Sequence, residues 1–290
     1  MQLSDFDASN NLVALFLARA DEQGEKPFLW AKREGKWQSQ SWAEAARHVC
    51  LIAEALRAIG LKAGDRVMLV SENRPEWCIA DLAIMAAGCI TVPAYTTNTE
   101  RDHTHIIENS GARAAIVSDA KLAKALLPAV LRADIAEYVI AIEPLRQMQV
   151  GTTAIHDWAS LLTGDAKAAR AAVNARVAKI ARKDMACIIY TSGTGGAPRG
   201  VMQHHGMILC NVDGAARILV EDFGWGDEVF LSFLPLSHAY EHTGGQYLPI
   251  GMGGQIYYAE GLEKLASNIE EVRPTIMVVV PRLFEVLRTR

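Results

Sequence analysis

Short apolar runs alternate with longer segments of helical period along most of this chain, and this alternation limits its fold more than any other feature. The runs at 66–70, 114–117 and 186–190 have the length and composition of buried strands. Strands that alternate with helices in this way are typical of a parallel sheet covered by helices. We therefore predict an α/β fold in which helices are layered on mostly parallel β-sheets.

Two helices are predicted from the residues that begin them. Ser41 and Glu44 are spaced as a capping box, in which each side chain bonds a backbone N–H of the other residue, so a helix is predicted at 42–59. Pro75 favours the first turn of a helix, because no intrahelical partner exists there for the N–H that proline lacks. A second helix is therefore predicted at 75–87.

Further elements complete the expected organisation. Strands are predicted at 89–92, 137–142, 229–233, 255–258 and 275–280, and helices at 119–132, at 262–272 and from about Gly206. The Ala/Arg-rich segment 167–182 is either a helix or a mobile linker, and we place a subdomain boundary there. The chain is thus divided into an N-terminal α/β subdomain, 1–180, and a second α/β subdomain, 181–290.

The charge balance limits the classes of partner. With a formal net charge of -4, 50% hydrophobic and 21% charged residues, the chain has the composition of an ordinary globular protein. It has no basic surplus to neutralise a phosphate backbone, so nucleic acid is not expected as the main partner. Small acidic ligands need only a local positive site and remain compatible with this composition.

Five cysteines are widely separated and contain no CxxC pair: Cys50, Cys78, Cys89, Cys187 and Cys210. They are interpreted as buried thiols in a reducing compartment, and a cytoplasmic location is expected. The apolar stretch 78–95 is interrupted by Asp81, so it is interpreted as a buried helix followed by a buried strand. No transmembrane segment is predicted, and peripheral membrane contact is left open.

The segment with the clearest chemical signal follows the strand at 186–190. In residues 191–200, which read TSGTGGAPRG, four of ten are glycine and three are hydroxylated. Glycines let successive backbone N–H groups turn toward one anion, and hydroxyls add donors, so the composition is that of a phosphate cradle. Arg199 supplies a positive charge that can bridge two phosphate oxygens.

Three alternative interpretations of this loop exist. Most glycine-rich loops are merely flexible connections, here one that leads from a strand to a helix. A P-loop requires GxxxxGK[ST], but the frame 195–200 is followed by Val201 where lysine should stand. A dinucleotide-binding GxGxxG is also absent, because the pair Gly224 and Gly226 is followed by Asp-Glu-Val.

Residues 190–201, YTSGTGGAPRGV, resemble the signature loop YTSGTTGxPKGV of the AMP-forming adenylating enzymes, which include acyl-CoA synthetases, luciferases and adenylation domains. Gly195 replaces a usual threonine and Arg199 a usual lysine, so retuned phosphate affinity is expected rather than lost function. Further resemblance lies at 71–77 (SENRPEW), 88–93, 109–112 (NSGA), 234–241 (LPLSHAYE) and 280–285 (VPRLFE). The last two segments are most similar to those of long-chain fatty acyl-CoA synthetases.

The resemblance implies an ATP-dependent, AMP-forming acid:CoA ligase. A carboxylic acid, in this case a fatty acid, would attack the α-phosphate of ATP to give an acyl-adenylate, and coenzyme A would then displace AMP. The implied ligands are ATP, Mg2+ and coenzyme A. The β- and γ-phosphates would be held by Thr191, Ser192, Gly193, Thr194, Gly195, Gly196 and Arg199, and Thr191 would also offer its hydroxyl to magnesium. His238 is the catalytic candidate near the α-phosphate and the acyl carboxylate, with Tyr240, Gly244 and Gly245 close to the acyl pocket.

Several alternatives stay open at this point. His238 and Tyr240 could be ordinary core residues, and 238–242 (HAYEH) also matches the HxxEH metal-binding pattern of inverted zinc proteases. The resemblance covers only the N-terminal portion of the enzymes in this family, so the chain is expected to lack full activity. It could instead be a non-catalytic nucleotide-binding or dimerisation fragment, or part of an adenylating enzyme for another carboxylic acid; a homodimer is left open.

Overall fold

The computed structural model describes residues 6, 9–146, 149–191, 197–281 and 283. The strands are β1 (Pro27–Arg33), β2 (Lys36–Ser41), β3 (Arg66–Val70), β4 (Ile90–Ala94), β5 (Ala112–Val117), β6 (Tyr138–Ala141), β7 (Gln149–Val150), β8 (Thr153–Asp157), β9 (Met185–Thr191), β10 (Arg199–His204), β11 (Val229–Ser232) and β12 (Gln255–Tyr258). The helices are α1 (Leu12–Gln23), α2 (Trp42–Ala58), α3 (Pro75–Ala86), α4 (Glu100–Ser110), α5 (Ala120–Ala133), α6 (Trp158–Leu161), α7 (Ala166–Val177), α8 (His205–Phe223), α9 (Ala239–Glu241), α10 (Leu248–Met252) and α11 (Leu265–Val272). A π-helix, His242–Tyr247, connects α9 to α10.

The strands form two sheets. The larger sheet has the order β10-β9-β4-β3-β5-β6-β8-β7, and all of its neighbouring strands are parallel except the edge pairs β10–β9 and β7–β8. The smaller sheet has the order β11-β12-β1-β2 and is parallel except for the β1–β2 hairpin. The predicted α/β fold with mostly parallel sheets is confirmed.

Both sheets combine strands from the two sides of the proposed boundary at residues 180 and 181. Strands β9 and β10 extend the larger sheet, whose other strands all precede the boundary. Strands β1 and β2 complete the smaller sheet beside β11 and β12, which follow it. The segment 167–182 is largely helical, as α7. The division into two subdomains stays a prediction, and it does not coincide with a boundary between the sheets.

The core is arranged around the larger sheet, whose central strands are buried on both faces. Along β3, Val67 and Leu69 pack in the cluster that includes α2, α3 and α7, whereas Met68 and Val70 pack in the cluster that includes α4 and α5. This explains the continuous apolar runs, because a strand covered on both faces has no polar side to alternate with. Every residue of α3 is buried, and this helix contacts strands of both sheets.

The predicted helix starts are confirmed. Ser41 and Glu44 form both hydrogen bonds of a capping box at the start of α2, and Pro75 occupies the first turn of α3. The apolar stretch 78–95 contains most of α3 and the whole of β4, as predicted. Within the part of the chain that is described, no helix is long and apolar enough to cross a membrane.

The predicted strand at 275–280 is wrong. The described residues form only an isolated parallel bridge there, between Ile276 and Phe230 of β11. The backbone N–H groups of Thr275 and Ile276 both point to the carbonyl of Val229, at 2.9 and 3.2 Å. The Leu231 N–H donates in turn to the carbonyl of Ile276 at 3.4 Å, which completes the bond pair of one parallel bridge, and no second bridge follows it among the described residues.

The cysteines are only partly as predicted. Cys50, Cys78, Cys89 and Cys187 are buried and unpaired, whereas Cys210 is unpaired but exposed on α8. The interpretation of all five as buried thiols is therefore wrong for Cys210. Cys210 lies on the outer face of an amphipathic helix. A single cysteine in a sequence does not show which face of its helix it occupies.

Candidate functional site

The glycine-rich loop closes a β-hairpin at the edge of the larger sheet. Strand β9 runs into the loop and β10 leaves it, with Thr191 directly opposite Arg199 in the antiparallel register. Both residues are exposed. Directly opposed side chains in such a pair lie on the same face, with Cβ atoms about 5 Å apart. The hydroxyl of Thr191 and the guanidinium of Arg199 therefore flank the base of the loop on one face.

The central loop residues lie outside the described part of the chain: Ser192, Gly193, Thr194, Gly195 and Gly196. Their predicted contacts with phosphate stay predictions. The alternative that the loop leads from a strand to a helix is wrong, because β10 follows it before α8 begins at His205. The sequence signal for β10 is weak, because whether a segment forms a strand depends on the neighbouring strand more than on its own composition.

Helix α4 holds both ends of the loop. The hydroxyl of Tyr190 donates to Asn109 Oδ1 at 2.6 Å, and His105 Nε2 lies 2.9 Å from the carbonyl oxygen of Pro198. His105 and Asn109 are one turn apart and therefore lie on the same face of the helix. Gly200 leaves room for this arrangement, because a Cβ there would lie 3.1 Å from Cζ of Tyr190. The loop is thus held at both ends by one rigid element.

The segment that leads to His238 is fixed by Asn73, which lies just before α3. Asn73 Nδ2 donates to Ser232 Oγ at 3.1 Å and to the carbonyl of Leu234 at 2.7 Å. Its Oδ1 accepts from the backbone N–H of Leu236 at 3.0 Å. The conformation of the chain between β11 and His238 is therefore determined by a residue from the loop after β3. The sequence marked 71–77 and 234–241 as separate blocks, and the structure brings them into contact.

His238 is exposed at the start of α9, where its Nδ1 accepts the backbone N–H of Tyr240 at 3.2 Å. Its Nε2 has no hydrogen-bond partner among the residues that are described. Tyr240 is 50% exposed. Neither residue is an ordinary core residue, so that alternative does not hold. Their predicted roles toward the α-phosphate and the acyl group stay predictions.

Gly244 and Gly245 lie in the π-helix, where both are closely packed. A Cβ on Gly244 would lie 2.9 Å from Cγ2 of Val278, and one on Gly245 would collide with the carboxyl group of Glu241. A π-helical turn of this kind often occurs at a functional site. The packing accounts for glycine at both positions, and the predicted proximity to an acyl pocket stays a prediction.

Glu241 is completely buried beside this turn. Ser232 Oγ donates to Glu241 Oε1 at 2.6 Å, and Oε2 has no partner among the described residues. Burial raises the pKa of the carboxyl group to about 8, although the Ser232 hydroxyl opposes that shift. Because a buried anion without a cation is costly, the group is largely protonated at neutral pH. The sequence named Glu241 only as part of the HxxEH pattern and gave no sign that its carboxyl group is buried.

Comparison with known proteins identifies the family of this chain. Residues 16–289 match the AMP-binding enzyme family. The chain belongs to that family. Confirmation of the resemblance to adenylating enzymes rests on this match, which covers nearly the whole chain.

The AMP-binding chain is similar to long-chain-fatty-acid–CoA ligase FadD15 of Mycobacterium tuberculosis, with 29% identity over 87% of this chain and 40% of that protein. It is 28% identical to long-chain-fatty-acid–CoA ligase 6 of Mus musculus over 96% of this chain and 41% of that protein. It therefore spans about 40% of the length of these relatives.

Solved structures show the same fold. The luciferase-like enzyme of the mealworm Zophobas morio superposes with a TM-score of 0.79 and 18% identity, over 94% of this chain and 60% of that chain. At this identity the likeness establishes the architecture of the AMP-binding chain and carries no information about its substrate.

The HxxEH pattern is divided between two environments in this AMP-binding chain. His238 is exposed at the start of α9, whereas His242 is buried with its Nε2 2.9 Å from Asp81 Oδ2. Glu241 is also buried. Among the residues that can be placed, no group of three or more histidine, cysteine, aspartate or glutamate side chains is arranged to hold a metal ion.

Proposed function

We propose that this chain is the ATP-binding N-terminal part of an AMP-forming acid:CoA ligase that acts on fatty acids through an acyl-adenylate. The observation that carries the proposal is the hairpin in which Thr191 and Arg199 face each other at the base of the glycine-rich loop. The long-chain fatty acid ligases among the relatives support the choice of acid.

The arrangement suits phosphoryl chemistry, in which charge stabilisation matters more than covalent help from the protein. Arg199 is exposed, and none of the ion pairs among the described residues involves it, so its guanidinium is free to meet phosphate oxygens. A guanidinium bonds two oxygens at once, whereas the lysine usual at this position acts as a point charge. We propose that Arg199 and the backbone N–H groups of 192–196 orient the β- and γ-phosphates for displacement.

Magnesium and His238 complete the proposal. The exposed hydroxyl of Thr191 fits one position in the oxygen shell of Mg2+, and phosphate oxygens and water would fill the others. When bound, the ion neutralises charge on the phosphates. His238 presents Nε2 to solvent from a segment that Asn73 fixes, so we propose that it donates to an α-phosphate oxygen or orients the acyl carboxylate.

The cytoplasmic location also belongs to this proposal. All five cysteines are unpaired, which supports a reducing compartment.

Calorimetric titration of the 290-residue chain tests phosphate recognition. ATP and inorganic tripolyphosphate, each with Mg2+, are expected to bind with similar affinity, and AMP is expected to bind at least about tenfold more weakly, because it lacks the two phosphates that the loop would hold. Equal affinity for AMP and ATP, or no affinity for tripolyphosphate, would contradict the assigned role of the loop.

Pyrophosphate release tests the second half of the proposal. Because the chain spans about 40% of its relatives, we expect it to bind ATP without completing adenylation. With ATP, Mg2+ and fatty acids of several lengths, pyrophosphate release should stay near background. Rapid acid-dependent release by this chain alone would refute the expectation, while the same assay would then identify the preferred acid.

A further inference from the structure

Asp81 lies at the centre of a buried polar cluster, on the part of helix α3 that is otherwise apolar, after its first turn. Its Oδ2 accepts three hydrogen bonds, from His242 Nε2 at 2.9 Å, Gln246 Nε2 at 2.7 Å and the hydroxyl of Tyr247 at 2.5 Å. Asp81 and all three donors are buried. The π-helix that follows His238 is therefore attached to α3 by several bonds to one oxygen atom.

The second nitrogen of His242 continues this chain of contacts to the hairpin. His242 Nδ1 lies 3.9 Å from Cys187 Sγ on β9, and Cys187 Sγ lies 3.5 Å from Gln203 Oε1 on β10. Cys187 and Gln203 are direct cross-strand partners. The contacts thus run without a break from α3 through the π-helix to both strands that carry the glycine-rich loop.

The charge states of Asp81 and His242 are consistent with these hydrogen bonds. Burial opposes the charged form of both partners, but their mutual attraction outweighs it, so the pKa of Asp81 lies below its ordinary value and the pKa of His242 lies above. A charged imidazole donates from both nitrogens, one to the carboxylate and one to the thiol. The S–H group of Cys187 is then left to donate to Gln203.

The location of Cys187 connects the cluster to the candidate site. Side chains alternate between the two faces of a strand, so Cys187 and Thr191 lie on the same face of β9. On β10, Gln203 and Arg199 share that face as their cross-strand partners. The same face is the one that His242 approaches, and His242 follows His238 by one helical turn.

We propose that the side chains of Asp81, His242, Cys187 and Gln203 form a positioning device. This device fixes the position of the hairpin that bears Thr191 and Arg199 relative to the segment that bears His238. The proposal rests on the function proposed above for that hairpin. A buried ion pair contributes little net stability compared with apolar residues of the same size, whereas its directional bonds specify geometry. The residues of the device touch no substrate and act through the groups they place.

Cys187→Ala is the decisive variant, because it breaks the device between the π-helix and the hairpin and leaves the Asp81–His242 pair intact. Cys50→Ala is its matched control: Cys50 is an equally buried thiol of the same core cluster, but it lies on α2. Cys187→Ser restores a donor and an acceptor at the broken position.

Hydrogen–deuterium exchange without ligand gives the first measurement. In Cys187→Ala, the amides of β9 and β10 next to the loop should exchange about fivefold faster, as expected for one lost hydrogen bond of about 1 kcal/mol. Cys50→Ala should leave these amides unchanged, and Cys187→Ser should recover part of the protection. Equal exchange at the hairpin in the two alanine variants would overturn the proposal.

The affinity for ATP gives the second measurement. Cys187→Ala should bind ATP about fivefold more weakly than Cys50→Ala when the two variants have similar melting temperatures. Unchanged affinity in Cys187→Ala would overturn the positioning role. If the unmodified chain binds no ATP, the proposed function fails, and the exchange experiment still decides whether the device holds the hairpin.

Discussion

Replacement of Glu241 by glutamine should make the chain more stable at alkaline pH and leave its stability unchanged at acidic pH. In the unfolded chain a glutamate loses its proton near its ordinary pKa of 4.5, whereas burial raises the pKa of Glu241 to about 8 in the folded chain. Between these values the folded state holds one more proton than the unfolded state. The free energy of unfolding therefore falls as pH rises from 4.5 to 8, and the contribution is completely lost above that range.

The magnitude follows from the width of this window. Each pH unit across it removes about 1.4 kcal/mol, so a shift of about 3.5 units amounts to roughly 5 kcal/mol as an upper value. Glutamine carries no charge at any of these pH values, and its carbonyl oxygen can still accept the hydrogen bond that Ser232 donates to Glu241. The difference in unfolding free energy between Glu241→Gln and the unmodified chain should thus be small at pH 5 and several kcal/mol at pH 8.5.

Urea unfolding followed by circular dichroism, at pH steps from 5 to 8.5, measures this difference directly. Other groups that titrate in this range, including His242, are shared by both proteins and cancel in the comparison. Glu108→Gln, which removes an exposed carboxyl group from α4, controls for the loss of a negative charge. A difference that does not change with pH, or one that shrinks as pH rises, would refute the reasoning about Glu241.

Two further predictions concern the packing around His238. Asn73→Ala removes the bonds that hold the segment after β11, so urea unfolding should show a loss of about 1–3 kcal/mol, and exchange should accelerate at 234–236; no acceleration there would contradict the anchoring role. Gly245→Ala should cost about 1–3 kcal/mol in unfolding free energy, because its methyl group collides with Glu241. Gly214→Ala is the control, since open space surrounds that position in α8 and alanine should stabilise the helix by about 1 kcal/mol; equal effects at the two glycines would contradict the packing.

The elements that could be predicted from sequence are those determined by local interactions. The capping box of Ser41 and the proline at the start of α3 act within one turn, so both helix starts are confirmed. The segment at 275–280 is as apolar as the observed strands, but whether it forms a strand depends on its hydrogen bonds with β11, which is distant in sequence. Strand β10 was missed for the same reason, because its partner β9 defines it.

In the candidate site, too, local patterns could be predicted from sequence and long-range contacts could not. Thr191 and Arg199 are candidates from sequence because they belong to a contiguous motif, and the structure places them opposite each other, while their role stays a prediction. The contacts of Asp81 with His242 join residues more than 150 positions apart, so no local pattern reveals them. One signal was present: Asp81 is the one charged residue in the apolar stretch 77–87, and a carboxylate buried in such a stretch needs a partner. The sequence does not identify that partner.

The affinity of the chain for Mg-ATP with and without the Arg199 guanidinium tests the central claim most directly. Calorimetric titration of Arg199→Ala should show at least about a tenfold loss of affinity, as expected for a charge-assisted phosphate contact, while Arg199→Lys should lose less. Arg47→Ala, which removes an exposed arginine from α2, should bind ATP as the unmodified chain does. Equal affinities for Arg199→Ala and Arg47→Ala would contradict the account, because the hairpin would then not be where the triphosphate binds.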